Sequence, residues 1–384
     1  MRILIFAALY YPFEGGYADS IHEMAKGLLK RGHQVLVLTC NTHQQPVQDI
    51  RDGVVIWQVS CWNPSWLNET FPIPRPLSLL KVIKKLNQES FDVVSTQTRF
   101  FPTSWCGFLF AKFKKIPIVH TERGSQHTVS DNFFISATGK IIDHTFGWLV
   151  CRFSNQVVGV SEAACVFVRH LGAKNPIKIY NGIDCDFWQL PPSNLRSSQD
   201  LNFEITFVGR LIEAKGVQDL LRTFKSYEVQ PRTRKIKVNV IGDGSYRYYL
   251  ENLARELGVS DRVKFWGRLK KEKIREIFSR TAVFVNSSYS EGLPRCVLEA
   301  GAAGLPILTT DVGGTGEIVN NDCGIMVSPQ NVELLAEKIN LLLNDKDLRK
   351  RLAANVRERV KENFSLAKIV LAYEKIYSDP DAFL

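Results

Sequence analysis

The sequence predicts an α/β protein built as two doubly wound domains, on three observations. Short β-branched runs alternate with helical patterns along most of the chain. That alternation breaks once, at a polar, apolar-poor stretch, and then resumes. The length of 384 residues, at 45 % apolar and 23 % charged, suits two soluble globular domains and excludes disorder, collagen and coiled coil.

In chain order, residues 3–7, 35–39, 54–59, 91–96, 117–121, 157–160 and 177–180 read as strands, with helical stretches at 20–30, 77–87 and 141–153 between them. Residues 1–190 form the first domain. Residues 191–203, opening on Pro191-Pro192-Ser193-Asn194, have the composition of a linker. Residues 204–362 form the second domain, with buried strands at 205–208, 236–241, 263–266, 282–286 and 306–309. After Pro329 the pattern is helical: 332–343, 348–362 and 365–377, the last with Ala367, Val370, Leu371, Tyr373 and Tyr377 as its apolar positions. The final segment, 363–384, is a terminal helix.

No apolar run approaches the roughly 18–20 residues of a membrane helix, and residues 2–8 lack a signal-peptide cleavage site. The expected location is the cytoplasm, including the inner face of its membrane. The eight cysteines are never closer than fourteen positions, so no CxxC zinc or redox pair exists, and no metal site is read from spacing. Residues 1–190 carry 19 basic and 14 acidic side chains and the remainder 30 and 25, so the net charge of +10 is +5 in each half. A diffuse excess favours anionic small molecules or an anionic lipid surface; nucleic acid is excluded as a partner for want of zinc-finger spacing or a basic zipper.

Open α/β domains bind ligands outside the carboxyl ends of their strands, so two facing domains would take two substrates in the cleft between them. Gly15 and Gly16 follow the first strand and precede a helix, where a close backbone and a helix N-terminus favour anions. The loop is not GxGxxG, and the second strand ends in Thr39-Cys40-Asn41 with no acidic residue, which argues against a dinucleotide cofactor. In the second domain, Gly209-Arg210 and Lys215-Gly216 place two cations beside a helix N-terminus, a setting for a diphosphate. Further on, Pro294 suits the first turn of a helix, leaving Glu291 in the loop before it and Glu299 in its second turn. A carboxylate accepts both hydroxyls of a sugar diol, and N–H groups around Gly292 and Leu293 suit phosphate oxygens. Each motif also has a plainer reading: a tight turn, a solvated charged loop, or Glu299 paired to a neighbouring cation.

The Glu291/Glu299 spacing within EGLP…LEA, the upstream Arg210…Lys215-Gly216, the double glycine and Asn181-Gly182-Ile183-Asp184 together resemble the retaining GT-B glycosyltransferases of family 4. The likeness runs over essentially the whole chain. It implies two facing Rossmann-like domains with a helical tail packing back on the first, a UDP-, GDP- or ADP-sugar donor, a glycan or lipid-linked acceptor, retention of anomeric configuration and no required metal. Residue by residue it implies that Arg210 and Lys215 neutralise the donor diphosphate, Glu299 binds the nucleotide ribose, Glu291 holds the donor sugar's hydroxyls, and Gly15 and Gly16 lie near the donor phosphates. The family's mid-domain His-Gly pair is absent: this chain reads His120-Thr121-Glu122-Arg123-Gly124, leaving Arg123 as the positional match and His120 as the other candidate.

Asp184-Cys185-Asp186 and Asp379-Pro380-Asp381 have D-x-D spacing but lie by the linker and at the tail, and Gly242-Asp243-Gly244 reads as a turn. On the acceptor side, Trp57, Trp62, Trp66 and residues 99–115 concentrate aromatic and basic side chains. The mixture suits an anionic membrane surface, stacking on sugar rings, or a core helix with a basic end. A nucleotide-sugar epimerase of the same fold and a non-catalytic glycosyltransferase-like subunit are the rival functions; no Ser/His/Asp or Cys/His nucleophile constellation is present.

Overall fold

The computed structural model describes residues 1–13, 15–43, 45–63, 71–127, 133–191, 202–226 and 235–381. Glu14, Trp66 and most of the expected linker lie outside them. The chain divides into two compact units, residues 1–182 with 366–384, and residues 183–365.

The first unit opens with β1 (Arg2–Phe6), α1 (Gly16–Lys30), β2 (Gln34–Asn41), β3 (Gln48–Arg51), β4 (Val54–Trp62), β5 (Ile73–Pro74), α2 (Pro76–Leu86) and β6 (Val93–Gln97). It continues with α3 (Pro102–Lys114), β7 (Ile118–Glu122), α4 (Phe133–Ile142), α5 (Trp148–Phe153), β8 (Gln156–Gly159), α6 (Glu162–His170) and β9 (Ile177–Lys178). The sheet order is β3-β4-β2-β1-β6-β7-β8-β9, with β5 on β4. The central strands are parallel and buried along their length; β1 reads as an apolar run, while β6 and β7 turn polar towards their carboxyl ends.

Sequence periodicity missed β3 and β5. Gln48-Asp49-Ile50-Arg51 is an antiparallel edge strand with exposed Gln48 and Ile50, and β5 is two residues long. The helix expected at 141–153 is α4 and α5 joined through a π-helical turn, Asp143–Gly147. The first helix begins at Gly16 rather than residue 20, so the double glycine is its N-terminus.

The second unit contains α7 (Cys185–Trp188), β10 (Asn202–Val208), α8 (Val217–Ser226), β11 (Lys235–Ile241), α9 (Arg247–Glu256), β12 (Val263–Gly267) and α10 (Lys271–Phe278). It ends with β13 (Thr281–Asn286), α11 (Arg295–Ala302), β14 (Ile307–Thr310), α12 (Thr315–Ile318), β15 (Ile325–Val327), α13 (Val332–Asn344) and α14 (Lys346–Phe364). The order β12-β11-β10-β13-β14-β15 is parallel throughout. Strand β10 begins within the last two residues of the expected linker, and β15 is a short edge strand that the pattern did not reveal.

The last helix, α15 (Leu366–Ser378), belongs to the first unit and lies on α1, burying Ile369, Val370, Tyr373, Ile376 and Tyr377. Contact is close because Gly27 faces Val370: a Cβ there would stand 2.3 Å from Val370 Cγ2. Tyr377 donates its buried hydroxyl to Ser95 Oγ, 2.9 Å away, at the sheet.

Candidate functional site

In a doubly wound sheet the crevice opens where strand order reverses. In the second unit that point lies between β10 and β13, and the loops after these two strands hold most of the predicted charged residues. Lys215 ends a 3₁₀ turn, Glu213–Lys215, before α8, and its Nζ stands 2.6 Å from Glu291 Oε1 on the loop after β13. Ser288 Oγ donates to the same oxygen at 2.7 Å. Both partners are mostly buried, with side chains 17 % and 9 % exposed.

Sequence-local chemistry explains why the two loops meet. Gly216 has φ +63, and a Cβ there would stand 1.9 Å from the Ser287 carbonyl oxygen, so only glycine allows the turn to press against the second loop. Ser287 Oγ donates to the Gly216 carbonyl (2.8 Å) and the Tyr289 N–H to that of Ala214 (2.8 Å). Tyr289 Oη then donates to Asp219 Oδ2 (2.7 Å) on α8. Gly242 has the same role at the neighbouring strand: its Cβ would stand 1.8 Å from the Gly209 carbonyl oxygen, which sets the Gly209–Arg210 turn against the turn after β11. Arg210 itself is exposed.

Pro294 stands at the N-cap of α11 rather than in its first turn. Glu291 precedes the helix and Glu299 lies in its second turn, buried and ion-paired through Oε1 to Arg295 Nε at 3.0 Å. The plainer reading of Glu299, pairing with a neighbouring cation, therefore describes its contact with Arg295. Gly292 accepts from the Gly314 N–H (2.9 Å), and Leu293 is buried. The neighbouring Cys296 thiol is pushed up by burial, with Glu291 adding to the effect, which keeps it protonated and removes it as a nucleophile.

In the first unit the order reverses between β1 and β6. Gly15 is the N-cap of α1, and the next residue but one, Tyr17, reaches across the switch point to donate its hydroxyl to the Gln97 carbonyl (3.2 Å). Arg123, just beyond β7, is held by Gln97 Oε1 (3.1 Å from Nη2) and by Asn181 Oδ1, with its guanidinium 5.9 Å from the Tyr17 ring centroid. Gly16, Tyr17 and Arg123 are thus brought to the carboxyl ends of the sheet's central strands.

His120 is elsewhere. It is fully buried within β7, its Nδ1 2.8 Å from Thr96 Oγ1 and its Nε2 3.6 Å from Glu122 Oε2. Sequence reasoning passed over Glu122, which is also fully buried and paired to Arg99 at 2.9 Å while accepting the Gly124 N–H at 2.7 Å. Burial acts to raise its pKa, but the Arg99 guanidinium and His120 outweigh that and hold the carboxyl down to about 2. Arg99 belongs to this buried network and not to a surface patch.

The other aromatic and basic candidates separate by burial. Trp57 is core, whereas Trp62 is half exposed. Helix α3 buries Phe108, Phe110 and Ala111 and exposes Leu109 and Phe113 beside Lys112 and Lys115. On α2, Leu77 and Leu80 are exposed with Lys81, Lys84 and Lys85. Among the described residues no helix is long and apolar enough to cross a membrane. The D-x-D pairs have local roles, since Asp184 caps α7 through the Phe187 N–H (3.0 Å) and Asp381 accepts from Asn155 (2.9 Å).

Two Rossmann-like units with parallel sheets, and a terminal helix returned to the first, define a GT-B protein. The family model described as Glycosyl transferases group 1 matches residues 196–359, and that of Glycosyltransferase Family 4 matches residues 14–187; the chain belongs to the group 1 GT-B glycosyltransferases. It is 27 % identical over 391 residues to an uncharacterized glycosyltransferase of Methanocaldococcus jannaschii, covering 98 % of each chain. It is 26 % identical over 368 residues to the N,N'-diacetylbacillosaminyl-diphospho-undecaprenol alpha-1,3-N-acetylgalactosaminyltransferase of Campylobacter jejuni, covering 91 % of this chain and 93 % of that one. In fold it is similar to Anabaena HepE crystallised with UDP-glucose, at a TM-score of 0.77 and 19 % identity over 98 % of this chain and 99 % of that one.

Proposed function

We propose that this glycosyltransferase moves a sugar from a nucleoside-diphosphate donor to a hydroxyl of a glycan or lipid-linked acceptor in cell-surface polysaccharide or glycolipid synthesis, with retention of anomeric configuration. One observation carries the donor assignment: Lys215 and Glu291 meet at 2.6 Å from loops on either side of the β10/β13 switch point, with Glu299 in the helix that follows. A cation and two carboxylates there match the needs of a nucleotide sugar, namely charge for a departing diphosphate and acceptors for diol hydroxyls.

In this reading Arg210 and Lys215 stabilise the negative charge that grows as the sugar–phosphate bond breaks, Glu299 accepts the ribose hydroxyls, and Glu291 orients the donor sugar. Gly209, Gly292 and Leu293 shape the phosphate pocket. In the first unit Gly15 and Gly16 are assigned to phosphate oxygens, and Arg123 to a substrate hydroxyl; His120, buried behind it, supports the strand end. The leaving phosphate itself can take the acceptor proton, so no protein nucleophile is required. The donor is UDP-, GDP- or ADP-linked and binds without a metal, and anomeric NMR of the product tests retention.

The exposed Leu77, Leu80, Leu109 and Phe113, beside five lysines, favour peripheral docking on an anionic membrane. Sedimentation with anionic vesicles, lost in Leu109→Asp/Phe113→Asp and absent with neutral ones, is the expected result.

The donor assignment is tested by a thermal-shift panel of UDP, GDP, ADP and their sugar conjugates in EDTA. A ligand at 100 times its Kd stabilises the native state by about 2.7 kcal/mol, which is a shift of several degrees. Because Glu299 is paired to Arg295, Glu299→Gln accompanies Glu299→Ala as the variant that keeps a hydrogen-bond acceptor there. One nucleotide class should shift the wild type and neither variant. No shift in the folded wild type with any of them would overturn the assignment.

A further inference from the structure

We propose that His127, His144 and His170 form a binding site for a transition-metal ion of the zinc class. The three residues are 17 and 26 positions apart in sequence and come from the segment after β7, the π-helical turn and the last residue of α6. The fold nevertheless brings one ring nitrogen from each to within 4.8 Å of the others. Ring centroids are 5.3 Å apart for His127 and His144, 5.5 Å for His144 and His170, and 6.0 Å for His127 and His170. A tetrahedral ion bound at about 2.1 Å needs its nitrogens about 3.4 Å apart. Side-chain rotation of the exposed His144 and His170 supplies that change.

His127 is already oriented for ligation. Its Nδ1 lies 2.7 Å from Asp143 Oδ2, and its ring stands edge-on to Phe167 at 5.0 Å. Asp143 is fully buried and held at both oxygens by Arg99, at 3.0 Å from Nε and 3.0 Å from Nη2. A buried carboxylate behind an imidazole fixes its tautomer and ring orientation, the arrangement that supports metal-bound histidine, and it leaves Nε2 as the ligating nitrogen. Among the described residues the converging donors are three imidazoles, a set that selects zinc, cobalt, nickel or copper over calcium and magnesium. The ion would tie the segment after β7, four residues beyond Arg123, to two helices. It takes no part in the proposed transfer.

The test uses tag-free protein, stripped with chelator and titrated with Co²⁺. Uptake of one ion per chain with the visible absorption of a four- or five-coordinate imidazole site is expected, with displacement by Zn²⁺ and a rise in the thermal midpoint. His144→Ala and His170→Ala alter exposed residues and should retain the wild-type circular dichroism while each lowers Co²⁺ affinity at least tenfold and abolishes the Zn²⁺-dependent thermal shift. Absence of stoichiometric uptake by the wild type, or uptake unchanged in the folded double variant, would overturn the site. Neither readout depends on sugar transfer or nucleotide binding.

Discussion

Glu122 illustrates what one buried charge does to this protein. Its folded pKa of about 2 lies below the ordinary 4.5, so its pairing with Arg99 contributes stability above pH 4.5 that is lost as pH falls towards 2. Glu122→Gln removes one of Arg99's two carboxylate partners and should destabilise the protein by about 3 kcal/mol at pH 7, a penalty that shrinks to nothing as the wild type itself protonates. Urea unfolding at stepped pH values measures both. Lys215 makes a different kind of prediction: Lys215→Met should lower kcat/KM by about 100-fold with whichever donor stabilises the protein, the cost of one lost charge stabiliser in a transfer step. Residue types at Lys215, Glu291 and Glu299 were legible in sequence, but their side-chain partners were not. Ion pairing depends on which loops meet, and neither the Glu291–Lys215 nor the Arg99–Glu122 contact has a sequence spacing that would announce it.

At the scale of elements, helix α15 shows how far periodicity reaches. Of the positions read as apolar, Val370, Tyr373 and Tyr377 are buried, but Ala367 is exposed, Leu371 remains 48 % exposed, and Ile369 and Ile376 complete the contact. The stripe was visible, and its exact edge was set by α1. Gly27→Val should force α15 away from α1 at a cost of about 1–3 kcal/mol, read as a lower thermal midpoint with nucleotide stabilisation in the second unit retained. The strands that escaped the sequence reading, β3, β5 and β15, are short edge strands whose pairing comes from a neighbour already in place, so they carry little pattern of their own.

For the molecule as a whole, the two units differ in continuity. Residues 183–365 are one uninterrupted segment with a core of their own, running from Phe203 to Leu352. Expressed alone, that segment should unfold cooperatively and retain the nucleotide-dependent thermal shift, since Arg210, Lys215, Glu291 and Glu299 all lie within it. Truncation after residue 365 has the opposite expectation. It exposes the α1 face that covers Ile369, Val370, Tyr373, Ile376 and Tyr377, and the first unit should lose cooperative unfolding in denaturant titration.

By itself the sequence determined the alternation of strands and helices, the two-domain division and the residue types of the loops that follow β10 and β13, because these rest on local periodicity and on glycines whose steric role is local. The tertiary structure decided the rest: that Lys215 and Glu291 share a switch point, that His120 is interior to β7 while Arg123 stands beyond its carboxyl end, and that three distant histidines converge. Charges and ligands act across space, and only the packing of β10 against β13, or of the π-helical turn beside the segment after β7, brings such groups together.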